Sequence, residues 1–286
     1  MILLDAPLES VDAYVDFISR QEVPVLRRTV RELDALRAEQ DSVSGRRVAA
    51  VVLGDPLMTM RLLTYLQANR RATQNHDITT IDRAIMMMGI NPFFNTFAGL
   101  ATLEDTLAAY PRALVGVLKV IARARKAAHY AREWAIIRHD LDVDEVTVAA
   151  LLHEATEIMC WTFAPTLTQK VYDLQLAHPT LRSSTAQRAV FGVTEREIQV
   201  AAVHAWKLPE LLISLLEEAQ ADHPRVRNVR LAADFARHVA RGWADPALPD
   251  DLAELERLLH LGREQLLARL GVPAEEVPRF LPAATE

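Results

Sequence analysis

His153, Glu154 and Glu157 interrupt the apolar run VTVAALLHEATEIMCW, from Val146 to Trp161. Imidazole and carboxylate side chains bind divalent metals and move protons. On a helix the three fall within one arc of about 100°. Burying such groups unpaired costs about 1–3 kcal/mol each or more, so they require a partner, a metal or a polar cavity. A zinc-protease helix places a second His four residues after the first, with Glu beside the first as general base. Here that position is Glu157. No third ligand follows from the spacing, so the protease pattern is incomplete.

The elements that must hold these residues are helical. Apolar residues surround the wheel of Val146–Trp161, which predicts one buried helix over that run. Leu26, Val30 and Leu33 have helical spacing after Pro24. Asp55-Pro56 spells an N-cap followed by Pro at the first helical position, opening PLMTMRLLTYLQAN. Thr79 to Asp82 and Thr194 to Glu197 both spell capping boxes, and Gly89 closes the first of those helices. Pro111 opens a long helix through Ala135. Further helices are predicted over Pro209–Ala219, Arg227–Arg241, Asp250–Leu259 and Glu264–Leu270. No run has strand periodicity and no fixed-period repeat occurs, so the fold class is all-α. Soft boundaries near 104–112 and 244–251 divide the chain into 1–110, 111–245 and 246–286. These are an N-terminal helical lobe, a second helical lobe and a C-terminal helical extension.

With 286 residues, half of them hydrophobic, the chain can bury a sizeable core. The formal charge of −6 is spread evenly and only 6% of residues are aromatic, which argues against nucleic acid as a partner. No apolar run approaches the roughly 20 residues of a membrane span. The start, MILLDAPLES, lacks a basic n-region and meets Asp5, unlike a secretory signal. The single Cys160 fits a reducing, cytoplasmic setting, and its apolar surroundings predict an inert buried thiol.

Four segments together resemble the HDOD family, a regulatory branch of the HD-type metal phosphohydrolases. They are VPVLRRTVRELDAL, then GDPLMTMRLLTYLQANRRATQNHDITTIDRAIMMMG, AALLHEATEIM and HAWKLPELLISLL. The second carries the family-like positions Asp55, Pro56, Leu63, Asn69, Ile78, Ile81, Ala84, Ile85 and Gly89. The third is similar to a Leu-Leu-His-Asp segment, and the fourth supplies Trp206, Leu208 and Pro209. Order and spacing match over about residues 20 to 240. The resemblance implies a multi-helical HD-like domain with an N-terminal helical lobe and a degenerate HD-type lobe.

Catalytic members of that superfamily hold divalent metal with a His, a His-Asp pair and a distant Asp, and the metal activates a water. The resemblance maps the pair to His153-Glu154 and the distant acid to Asp234. Near the first His it places Lys119 or Arg123, with His129 a turn or more late. Ala219 and Gln220 stand where a His-His pair is common, with His223 displaced. A cation at the first position repels a divalent metal. The expectation is therefore a vestigial metal site of His153, Glu154 and Asp234, with no cofactor. Its carboxylates, Glu157 included, would be satisfied by bases from the Pro111 helix, with Arg123 and Lys126 in the pocket and Arg125, Arg132 and Arg138 as further sources. His129 and His204 are expected to be packing residues, and Met86 to Met88 core plus one exposed side chain. The implied role is a non-catalytic bacterial signal-transduction module, acting without an attached receiver or cyclic-dinucleotide domain. It would bind a protein partner or a small anionic ligand. The alternative is a divalent-metal phosphohydrolase with a degenerate site.

Overall fold

A computed structural model describes residues 2–39, 43–69, 80–205, 213–214, 220 and 222–281, the side chain of His204 excepted. The chain is all-α. Among the described residues the only β-type pairing is one parallel bridge between Val25 and Thr102. Ile78, Thr79, Trp206, Leu208, Pro209, Ala219 and the helix expected over Pro209–Ala219, apart from the helical residues 213–214, lie outside the described residues, as does the His204 side chain.

The first part of the chain holds α1 (Val11–Ser19), α2 (Arg27–Ala38), α3 (Gly45–Leu53), α4 (Pro56–Ala68), α5 (Ile81–Met88), α6 (Ile90–Thr96) and α7 (Leu103–Thr106). Asp55 organises it. It is fully buried, caps α4 through Leu57 N at 2.9 Å, and accepts from Leu26 N and Thr29 Oγ1, both at 2.8 Å. One carboxylate thus fixes the start of α4 against the start of α2, which explains why Val23–Leu36 and the Asp-Pro step belong together. Thr80, not Thr79, caps α5. Gly89 then takes φ +83° to join α5 to α6, a conformation that favours glycine. Two of the three methionines of α5, Met86 and Met87, are exposed, one more than its apolar run suggests.

The site-bearing part begins with α8 (Pro111–Ile137), then α9 (Val143–Leu152), α10 (Ala155–Phe163), α11 (Pro165–Ala177), α12 (Ser183–Phe191) and α13 (Glu195–Ala205). After it come α14 (Pro224–Val239), α15 (Leu248–Leu259), α16 (Arg263–Leu270) and α17 (Val277–Phe280). Alanines 113, 124, 127, 128, 131 and 135 are buried along α8, letting α9, α10 and α14 pack close. Gly116 goes further: a Cβ there would lie 2.8 Å from the Trp161 ring. Buried side chains from Tyr14 to Phe280 form one continuous hydrophobic cluster. No single helix among the described residues is long and apolar enough to cross a membrane. Only α3 and α4 together pass by length and composition, and that pair is bent by 119°.

The run Val146–Trp161 is not one helix. It breaks at His153-Glu154 into α9 and α10, with Glu154 at φ −101° and ψ 18°. No Gly or Pro causes this. The carbonyl of His153, freed by the break, accepts from Gln199 Nε2 at 2.6 Å. A tertiary hydrogen bond therefore replaces the intrahelical one, and Glu154, whose carbonyl accepts from Ile158 N at 3.1 Å to start α10, turns its side chain to α8.

Candidate functional site

The break turns the polar arc toward two neighbours. Glu154 and Glu157 face Arg123 of α8. Arg123 Nε donates to both Glu154 oxygens, at 2.8 and 2.7 Å, and Nη2 donates to Glu157 Oε2 at 2.5 Å. The side chains of Arg123 and Glu154 are 18% and 8% exposed, so this ion pair sits in a poorly hydrated place. Desolvation still outweighs the guanidinium: Glu154 is pushed up to about 7, with Arg123 opposing the rise. A third carboxylate, the half-buried Glu195 at the first turn of α13, is pushed up to about 8 by burial and by the charge of Glu157. Arg123 thus pairs with two of these carboxylates, while Glu195 bonds Gln187, and burial favours retention of a proton by Glu154 and Glu195 near neutrality.

His153 lies on the other side, among the charges of Asp234, Arg237, Arg196 and Arg230. Burial, reinforced by the arginines, holds its pKa down to about 4, so the ring is neutral at pH 7. Its Nδ1 is buried and has no hydrogen-bond partner among the described residues. Asp234, the distant acid, does come near His153, but Arg237 one turn along α14 binds its carboxylate. The next residue, His238, pairs through Nδ1 with Asp251 of α15 at 2.6 Å, fastening these two helices.

Several bases expected in the pocket are elsewhere. Lys126 is exposed, with its ammonium 5.0 Å from the centre of the Tyr130 ring, a cation–π contact that keeps the charge in water. Arg132 pairs with Asp144 at 2.7 Å, and Arg138 donates to Pro224 O at 3.0 Å. Arg125 and His129 are exposed, so His129 is not a packing residue. Cys160 is buried, and burial pushes its thiol well above the usual range. Glu195, Gln199, Arg237 and the His238–Asp251 pair escaped the reading of the sequence. The box Thr194–Glu197 was visible, but nothing local shows that its second residue points at α10.

A divalent metal does not fit this donor set. Both oxygens of Glu154 are engaged by Arg123, Asp234 is engaged by Arg237, and a guanidinium stands beside the pair where a ligand is required. Among the described residues no three His, Cys, Asp or Glu side chains converge as a metal shell. What the arrangement offers instead is shape and charge. A separate cavity of about 640 Å³ opens where α1, α4, α10 and the end of α13 meet, lined by residues including Ile18, Met60, Arg61, Tyr65, Met159 and Ala205.

The HDOD domain profile matches residues 23–221. Among solved structures, the MmoQ response regulator of Methylococcus capsulatus is similar with a TM-score of 0.65 at 21% identity, covering 89% of this chain and 99% of its own. A virulence factor from Campylobacter jejuni gives 0.68 at 16% identity, covering 97% and 98%. These two likenesses are likenesses of fold. No curated protein matches the chain.

Proposed function

We infer that this chain, which belongs to the HDOD domain family, is a non-catalytic signal-transduction module that works by binding a protein partner or a small anionic ligand. The observation that carries the reading is Arg123 on both oxygens of Glu154. A metal-activated water needs a carboxylate free to bind metal and an electrostatic field that tolerates a dication. Here the guanidinium supplies the positive charge itself, and the imidazole of His153 is left neutral among further arginines. The Arg123 ion pairs hold α8 and α10 in register, and the cavity between α1, α4 and α10 gives a partner or ligand a place to bind. A cytoplasmic, bacterial setting belongs to the same proposal.

One observation favours a second reading. The Nδ1 of His153, buried near Asp234 and unpartnered among the described residues, is a nitrogen of the kind that ligates metal. Under that reading His153, Glu154 and Asp234 form a degenerate phosphohydrolase site. Hydrolysis of phosphomonoesters and cyclic nucleotides with added Mn²⁺ separates the two. The binding module gives no turnover above a His153→Ala control. Turnover that the control lacks overturns it.

A further inference from the structure

Large apolar side chains stay exposed on two adjoining helices. Val115 and Leu118 lie one turn apart on α8, and Tyr172 and Leu176 one turn apart on α11, with Leu176 68% exposed. Three contacts bring these stretches together. α11 packs against α8. Arg112 Nη2 donates to Asp173 Oδ1 at 2.6 Å, from one helix to the other. Gly116 admits the Trp161 ring against α8, and the Tyr172 ring centre lies 6.3 Å from that of Trp161. Tyr172 is thus held by a buried neighbour while its other side faces water. Little net charge remains here. Arg112 and Lys119 are the charged residues of 111–122, and Asp173 neutralises Arg112. Lys170 stands about 160° round α11 from Tyr172. An exposed apolar patch with a polar rim marks an interaction site.

We propose that this α8–α11 face is an interface between two copies of the chain related by a two-fold axis. Such an axis sets Arg112 of one protomer against Asp173 of its partner and repeats the match at the other end, so the rim complements itself. A strongly acidic or basic partner finds only Lys119 unpaired on this part of α8, so charge favours a like copy. Tyr172, already fixed against Trp161, loses little freedom on binding and is the anchor. α11 runs 13 residues, about 20 Å, and a helix is about 10 Å wide, so the two helices offer about 400 Å² of flat face per copy. That is small beside the roughly 800 Å² per partner of a standard interface. The dimer is therefore reversible and forms in the micromolar range. Apolar burial drives it, because two chains of charge −6 repel, and added salt screens that repulsion.

The test is sedimentation equilibrium of the whole chain from about 1 to about 300 µM. The mass is expected to rise from 32.0 kDa toward twice that value, and to do so still in about 0.5 M NaCl. Val115→Glu and Leu176→Glu each weaken association at least tenfold, because a two-fold axis buries each substitution twice. Met86→Glu, on the exposed face of α5, leaves it unchanged. Arg112→Asp and Asp173→Arg each weaken it alone. Mixed one to one, these two variants associate at least fivefold more tightly than either does by itself, since each cation then meets an anion across the axis. Thermal melts confirm that each variant is folded. A chain that stays monomeric at the highest concentration overturns the interface. So does association that Val115→Glu and Leu176→Glu leave intact, or a mixture no tighter than its components. Binding to phosphatidylglycerol vesicles by a chain that stays monomeric, lost in the same two variants, overturns it in favour of a lipid surface. None of these results bears on the Arg123–Glu154 pair, so the non-catalytic reading stands or falls separately.

Discussion

Arg123→Met removes the guanidinium that Glu154 and Glu157 share while keeping most of the apolar stem. Its cost depends on pH in a way the site dictates. Glu154 rises from an ordinary 4.5 to about 7 even with Arg123 in place. At about 1.4 kcal/mol per pH unit, ionising it in the folded protein already costs on the order of 3 kcal/mol relative to the unfolded chain. Glu195, raised to about 8, acts in the same direction. The folded protein therefore keeps protons that the unfolded chain has released. The contribution of these groups to stability is greatest below about 4.5 and falls as pH rises through 7 to 8. Without Arg123 the carboxyls stay neutral at pH 5, and the loss is that of a few hydrogen bonds, about 1 kcal/mol. At pH 8 they must either ionise unpaired or hold protons against the solvent, and the loss climbs toward about 3 kcal/mol. Urea denaturation followed by far-UV circular dichroism at both pH values reads the difference, with an unchanged m-value confirming that only stability moved. Adding Glu154→Gln recovers part of the loss at pH 8, with a coupling of about 1–3 kcal/mol. An equal loss at pH 5 and pH 8, or no recovery in the double variant, shows that Arg123 is not the counter-charge of Glu154.

The His153 ring gives a slope of opposite sign. Its folded pKa is about 4 against an ordinary 6.5, so the unfolded chain takes up the proton first and stability is lost as pH falls through that window, by about 3 kcal/mol in all. His153→Asn flattens this part of the urea-midpoint profile; an unaltered slope counts against the assignment. Gly116→Ala brings a methyl to 2.8 Å from the Trp161 ring and destabilises by about 1–3 kcal/mol, partly restored by Trp161→Leu. If the alanine melts like the parent, that contact is softer than described. Asp55→Ala strands the donors of Leu26, Thr29 and Leu57 and costs at least about 2 kcal/mol in thermal or urea melts. Asp55→Asn, which keeps one acceptor oxygen, costs less; an equal cost shows that charge matters more than hydrogen bonding there.

What the sequence made legible was local. Asp55-Pro56, Pro111 and the Thr194–Glu197 box act within one helical turn, and each starts a helix where its chemistry requires. The break at His153-Glu154 is different. Its cause lies in Gln199 and Arg123, 46 and 31 residues away along the chain. The periodicity of Val146–Trp161 therefore correctly signals burial and still misses the corner. Pairing of the carboxylates with Arg123 was within reach because a buried acid needs a base and α8 offers several. Which base was not: Lys126 follows Arg123 by three residues yet turns outward to the Tyr130 ring. Glu195 and Arg237 were hidden for the same reason. Their residue types are ordinary for helix surfaces, and only the packing of α13 and α14 against the break gives them a role.

We propose that arginine supplies here the positive charge that a divalent metal would supply in an HD-type site. The most direct measurement is the Mn, Fe and Zn content, by elemental mass spectrometry, of protein purified without chelator and then dialysed against Mn²⁺. Far less than one metal per chain is expected before and after dialysis, and an Arg123→His variant is the comparison in which any gain should appear. One tightly held metal per chain in the parent protein, lost in His153→Ala, would contradict it.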